Sequence, residues 1–267
     1  PEHIPGVIAG VFSGFSVASV VGVPIASTIT QTFGWRAAFI TIFVATLALL
    51  ALLFVKLPRQ NRLKAGSILE QFKLFLDKRI SIGCAIVFLA GASTYCFYTY
   101  LTPIFQQELH IPDSMLSLAL LIFGIAAITS NVSSGQVANK TGIRMLPLIY
   151  VIQTVCLLLL PIATHNLISG GLVLFILGVM MYLLNSPLQM HFLNIATREH
   201  PACVNLASSL ISVFFNFGIA AGSAMGGVIV KYAGLRFVGI GGAVPSIGAI
   251  ICAVILLQIM KPGADIR

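Results

Sequence analysis

The sequence predicts an all-α integral membrane protein of eight transmembrane helices, and three observations carry that prediction. Of its 267 residues, 58% are hydrophobic and only 8% are charged, with a mean hydropathy of +1.03. Soluble domains carry about 25% charged residues because a folded surface meets water, so lipid is the solvent for most of this chain. Runs free of Asp, Glu, Lys and Arg cover 3–35, 37–55, 80–107, 114–139, 145–197, 200–230 and 237–260. A helix needs about 20 residues to cross a bilayer. Period-2 alternation of the barrel type is absent, which leaves helices.

The expected spans are 7–29, 37–55, 81–104, 115–137, 146–163, 170–192, 204–229 and 237–259. The run 145–197 is long enough for two of them, broken near His165-Asn166 and Gly170-Gly171. In the first span small residues recur every four positions: Gly6, Gly10, Gly14, Ala18, Gly22 and Ala26. Such a run lets two helices approach closely, and Pro24 removes one backbone bond and kinks the helix. The stripe reads either as packing or as a seam that controls rocking and leak between bundles. Segment 56–79 is the one long polar stretch, with seven bases and the acids Glu70 and Asp77. Ile68, Leu69, Phe72, Phe75 and Leu76 recur in it at helical spacing. It reads as an amphipathic helix on the inner surface, or as a solvated linker.

Polar faces mark three later spans. Gly91, Tyr95, Tyr98, Thr99 and Thr102 cluster on the third. Gly178, Met181, Tyr182, Asn185 and Gln189 cluster on the sixth, where Pro187 adds a break. Asn205, Ser209, Ser212, Asn216 and Ser223 fall within about 60° of one another on the seventh, beside a separate small face of Gly218, Gly222 and Gly226. Polar groups in lipid must face protein or water. Interhelical bonding and cavity lining both fit, and Tyr98 and Tyr100 also suit an interfacial aromatic belt. Aromatic bodies with polar tips, amides and a soft Met suit a moderately apolar organic ligand.

Lys and Arg set the orientation. With the N-terminus inside, twelve of the fifteen fall on inner segments; Arg36, Lys231 and Arg236 fall on outer loops. Both termini are then cytoplasmic, and the net charge of +8 needs no nucleic-acid partner, because the bases form no groove-sized patch. Three regions are expected: 1–55, the last two spans of an N-terminal bundle; 56–79, the linker; and 80–267, a complete six-helix bundle. An offset of 200 supports this organisation. Phe15, Gly22, Gly34 and Arg36 match Phe215, Gly222, Gly234 and Arg236, and Ala18 and Ala26 match Gly218 and Gly226. Parallel repeats about an axis along the membrane normal are a transporter feature. The second half then has two more span pairs than the first, so four N-terminal spans are expected to be missing.

Several functions are disfavoured. Five cysteines, widely spaced and without a CxxC, suggest neither a disulfide framework nor a zinc site. GxSxG, HExxH and the phosphate-binding P-loop do not occur, so no enzyme and no cofactor is expected. Asn131-Val132-Ser133 and Asn139-Lys140-Thr141 fit the glycosylation pattern, but at expected membrane and cytoplasmic positions. No Asp, Glu, Lys or Arg lies within an expected span beyond its ends. His3, His110, His165, His191 and His200 lie near span ends or in loops and read as interfacial.

The stretch Gly135-Gln-Val-Ala-Asn139-Lys140-Thr-Gly142-Ile-Arg144 resembles the G-x-L-A-D-R-x-G-R-R loop of the major facilitator superfamily. Asn139 replaces the Asp of that pattern; it can cap a helix but cannot make the charge contact of the usual gate. The first span resembles the antiporter signature G(x8)G(x3)GP(x2)GG, with Gly10 and Pro24 matching and Ser19, Val23, Ser27 and Thr28 elsewhere. Gly34-Trp35-Arg36 with Phe39, Tyr98-Thr99-Tyr100-Leu101-Thr102-Pro103, Ser186-Pro187-Leu188-Gln189 and Phe215-Asn216-Phe217-Gly218 are similar to the arabinose-efflux and drug-efflux proton antiporter branch. The resemblance aligns the chain with spans five to twelve of twelve.

That resemblance implies a proton-driven exporter of a small drug-like or sugar-like molecule, monomeric, in a bacterial inner membrane, working by alternating access. It places the coupling carboxylate for protons in spans absent here. Tyr95, Tyr98, Thr99, Asn185, Gln189, Ser212 and Asn216 are the expected cavity residues. Gly10, Gly14, Gly22, Pro24, Gly135, Asn139, Gly142, Arg144, Gly218 and Gly222 are the expected packing and gating positions. The alternative is a non-transporting membrane remnant or scaffold, which the lack of an intramembrane acid favours for this chain taken alone.

Overall fold

The computed structural model describes residues 22, 25–26, 28–30, 32–56 and 74–260. Gly10, Gly14, Pro24 and residues 57–73 of the expected linker lie outside the described residues. Seven stretches among those described are long and apolar enough to cross a membrane: Trp35–Lys56, Lys78–Glu108, Asp113–Lys140, Gly142–Ala163, Leu167–Glu199, Pro201–Tyr232 and Leu235–Ile259. Each carries one of the expected spans from the second to the eighth. The chain divides into two compact units, Pro1–Ala65 and Gly66–Arg267.

In the first unit, Gly34 turns the chain with φ +82°, a left-handed conformation that favours glycine. Its N–H donates to Thr30 O at 3.0 Å. Helix α1 (Trp35–Lys56) follows. Its hydroxyls are satisfied at home: Thr41 donates to Ala37 O (2.9 Å) and Thr46 to Ile42 O (2.8 Å). Lys56 in the last turn meets the negative end of the helix dipole. A Cβ on half-buried Gly22 would meet nothing within 4 Å, so no close packing engages that member of the small-residue stripe among the described residues.

The second unit is a bundle. Helix α2 (Lys78–Tyr98) begins at Asp77, whose carboxylate accepts from Arg79 N at 2.8 Å and so satisfies an otherwise free N–H. It runs on through a short turn (Leu101–Pro103) into a π-helical turn (Ile104–Glu108). Helix α3 (Asp113–Lys140) ends at Gly142, with φ +56°, before a tight turn (Gly142–Met145). Helices α4 (Leu146–Ala163) and α5 (Leu167–Met180) are separated at Thr164–Asn166, where Asn166 caps α5 through Ile168 N at 2.9 Å. The break therefore falls at the expected His165-Asn166, and Gly170-Gly171 lies inside α5. The sixth span differs from a continuous helix: α5 stops at Met180 and α6 (Asn185–Glu199) begins after a four-residue interruption. Helix α7 (Val204–Tyr232) and helix α8 (Val238–Ile259) meet at Gly234, φ +100°. The two glycines paired by the 200-residue offset thus both adopt a positive φ at a corner between helices.

Buried apolar side chains form two clusters stacked along the bundle. One, near the Asp77 end, includes Ile80, Val87, Tyr150, Leu188, Phe192 and Leu256. The other includes Phe97, Ile104, Leu157, Leu174, Leu177 and Val238. On α2 the switch falls between Ala90 and Phe97, on α4 between Tyr150 and Cys156, on α8 between Ala243 and Ala249, and at the interruption between Tyr182 and Leu184. Ser93, Thr94, Gln153, Thr154 and Ser246, all buried, fall in that gap.

Candidate functional site

The gap is a polar layer at mid-span, built from two groups. In the first, Gln153 of α4 donates from Nε2 to Ser93 Oγ (3.1 Å) and Thr94 Oγ1 (3.3 Å) of α2. Next to it, Thr154 Oγ1 lies 2.8 Å from Ser246 Oγ of α8. All five side chains are buried, so each needs a partner. Sequence reading missed this group. Its signal was an amide and a hydroxyl side by side in an otherwise oily fifth span.

The second group surrounds the interruption. Asn185 Nδ2 approaches Asn131 Oδ1 of α3 at 3.5 Å. Tyr95 and Tyr182 both pack against the ring of Phe215 on α7. Ring centroids lie 5.2 Å apart for Tyr95–Tyr98, 5.9 Å for Tyr95–Phe215, 5.6 Å for Tyr98–Phe123 and 6.3 Å for Tyr182–Phe215. These are tilted and edge-on contacts that aromatic quadrupoles favour. Tyr95 and Tyr98 are half-buried, while Tyr182 and Asn185 are buried. Four helices therefore bring phenol and amide groups to one depth.

The other expected cavity residues are dispersed. Gln189 is buried one turn further along α6 and donates to Ser208 O of α7 at 3.3 Å. Thr99 is exposed and pairs with Ser223 Oγ at 2.8 Å. Ser212 and Asn216 are exposed on α7, where Asn216 Nδ2 donates to Ser212 O at 2.7 Å. Two members of the expected polar faces are not on an open face. Gly91 is buried against α7, and a Cβ there would lie 2.8 Å from Phe215 O. Gly178 is buried against α3, 2.9 Å from Ala126 Cβ by the same measure. A glycine shows no polarity, so helical spacing alone could not tell lining from packing.

The expected packing positions are placed as follows. Gly218, Gly222 and Gly226 run along α7 so that a Cβ on each would strike the carbonyl oxygens of Phe88, Ala92 and Cys96 on α2. Gly135 is half-buried with nothing within 4 Å, and Asn139 and Arg144 are exposed at the far end of α3. Gly142 is buried in the turn between them.

Two ionic features flank the layer. At one end Arg79 bonds Asp77 (Nη2–Oδ2 2.5 Å) and both oxygens of Glu199, tying the start of α2 to the end of α6. Burial alone would raise the Asp77 carboxyl, but the Arg79 hydrogen bonds and charge hold it below its usual range. At the other end Arg236 donates from Nε to Pro161 O at 2.8 Å and contacts His165. His191 is 7% exposed, within α6, with Nε2 unpartnered. Neighbouring spans cover it, which its position near a run's end could not reveal.

The sequence profile of the Major Facilitator Superfamily matches residues 1–205. The MFS-type transporter YtbD of Bacillus subtilis is 30% identical over 247 residues, 91% of this chain and 62% of that protein. A probable sugar efflux transporter of Pasteurella multocida is 28% identical, over 86% of this chain and 56% of the relative. The inner membrane transport protein YdhP of Escherichia coli is 25% identical, over 97% and 64%. The chain thus spans between about half and two thirds of the length of these relatives. The all-helical bundle, the seven apolar spans and the profile match over most of the sequence lead to one conclusion: this chain belongs to the major facilitator superfamily of membrane transporters.

Proposed function

We propose that this chain is the C-terminal part of a secondary transporter that exports a small drug-like or sugar-like organic molecule by proton antiport with alternating access. In this reading residues 80–267 form the C-terminal six-helix bundle and 1–55 the last two spans of the N-terminal one. Both termini face the cytoplasm of a bacterium, the protein works as a monomer, and the coupling carboxylate comes from spans outside this chain. The observation that carries the reading is the mid-span convergence of Tyr95, Tyr98, Tyr182, Asn131 and Asn185 beside an interrupted helix. Interrupted spans bind cargo near the midplane in many carriers, because freed backbone and polar side chains together line a cavity. Phenols and amides without a charge suit hydroxyl-rich or moderately apolar cargo, in keeping with the sugar efflux relative.

The test is export from cells that express the longest open reading frame containing this chain. A radiolabelled thiogalactoside and ethidium serve as probes, with Asn185→Ala and Tyr95→Ala as variants. Export of either probe that falls at least tenfold in both variants supports the reading. Equal export in wild type and both variants sinks it.

A further inference from the structure

The interruption between α5 and α6 leaves backbone groups without helical partners, and helix α3 meets them. The chain tightens to three-residue spacing there: Met181 N bonds Gly178 O at 3.3 Å and Asn185 N bonds Tyr182 O at 3.1 Å. Those bonds take the carbonyls that Tyr182 N–H and Ser186 N–H would use in an α-helix. Pro187 has no N–H, so Leu183 O loses its donor as well. Each of the three is answered by a serine. Tyr182 N–H donates to Ser130 Oγ at 2.8 Å, and Ser186 N–H donates to Ser134 Oγ at 2.8 Å. Ser134 Oγ in turn donates to Leu183 O at 3.1 Å.

Ser130 and Ser134 are both fully buried and stand four residues apart, hence on one face of α3. A serine hydroxyl inside an apolar helix commonly bonds its own i−4 carbonyl; here both engage the backbone of another span. Asn131, between them in sequence, reaches Asn185. The residues held by this arrangement are Tyr182, which shares the Phe215 ring with Tyr95, and Asn185.

We propose that Ser130 and Ser134 are positioning residues: they stand in for the missing helical bonds of the sixth span and so fix Tyr182 and Asn185 beside Tyr95. The functional half of this rests on the cavity reading above; the structural half does not. The deciding experiment is hydrogen exchange at single-amide resolution on the full chain in lipid nanodiscs. Ser130→Ala speeds exchange at the Tyr182 amide, and Ser134→Ala at the Ser186 amide, each about fivefold, as expected for one net hydrogen bond. Ser134→Thr keeps the hydroxyl and restores protection. Unchanged exchange at both amides overturns the clip. In the export assay Ser134→Ala raises the KM of the exported probe and leaves Vmax within about twofold. A proportional fall in Vmax alone overturns the positioning role. Export indifferent to Asn185→Ala and Tyr95→Ala sinks the cavity reading and the functional half with it, while lost protection at the two amides still establishes the clip.

Discussion

Two helix pairs in this bundle solve the problem of close contact in opposite ways. Helix α7 meets α2 through Gly218 and Gly222 backbone against backbone, with Gly226 against the Cys96 carbonyl and the Tyr100 ring. Helix α3 meets α5 and α6 through Ser130 and Ser134, hydroxyls against an interrupted backbone. The first contact gains by dispersion and tolerates no added atom. The second gains by hydrogen bonds that a hydroxyl can remake after a small shift. Tight contact without adaptable groups makes a fixed seam; polar contact at a break makes an adjustable one.

The largest expected effect breaks the fixed seam. Gly222→Leu drives a side chain into the Ala92 carbonyl, where backbone cannot yield. We expect a loss above ~3 kcal/mol, at the upper end of overpacking penalties, seen as little folded protein in detergent. Recovery of a wild-type melting temperature would show that the seam can open. Next, Gln153→Leu removes the donor that joins α4 to Ser93 and Thr94. Interhelical polar bonds in membranes contribute about 0.6 to 1.7 kcal/mol, and we expect a loss in that range by denaturant titration in mixed micelles.

A smaller effect is tied to acid. The Asp77 carboxyl is held below its ordinary value of 3.8, so its contribution is present above that pH and is lost as pH falls through the lowered value. Wild type should therefore lose melting temperature below about pH 4 by more than Asp77→Asn does. Equal acid sensitivity would remove Asp77 from the account. The smallest effect has the opposite sign. Gly135 sits in α3 with open space beside it, so Gly135→Ala should stabilise by ~0.5–1 kcal/mol through helix propensity. Destabilisation would mean that this glycine serves a close approach in another conformation.

The spans were legible because hydrophobicity and charge report the solvent directly; the charge-free runs located every described helix. The corner at Gly234 was legible through its match to Gly34. The α7 seam was half legible, since Gly218, Gly222 and Gly226 announced a small face but not its partner. The serines were not legible: Ser130 and Ser134 look like ordinary polar residues in a long helix until Pro187 of another span is brought beside them. Gln153 was hidden for the same reason, because satisfaction of a buried polar group depends on contacts between distant segments. Tyr95 and Asn185 stand out in the sequence because phenols and amides at helical spacing are costly in lipid and so demand a reason.

Helix α1 offers a different lesson. Thr41 and Thr46 return their protons to carbonyls one turn back, and Gly34 and Lys56 mark its ends. Among the described residues, polarity imposes no sidedness on this rod. Rewritten with leucine and alanine between Trp35-Arg36 and Lys56, it would keep the length and oiliness that a crossing needs.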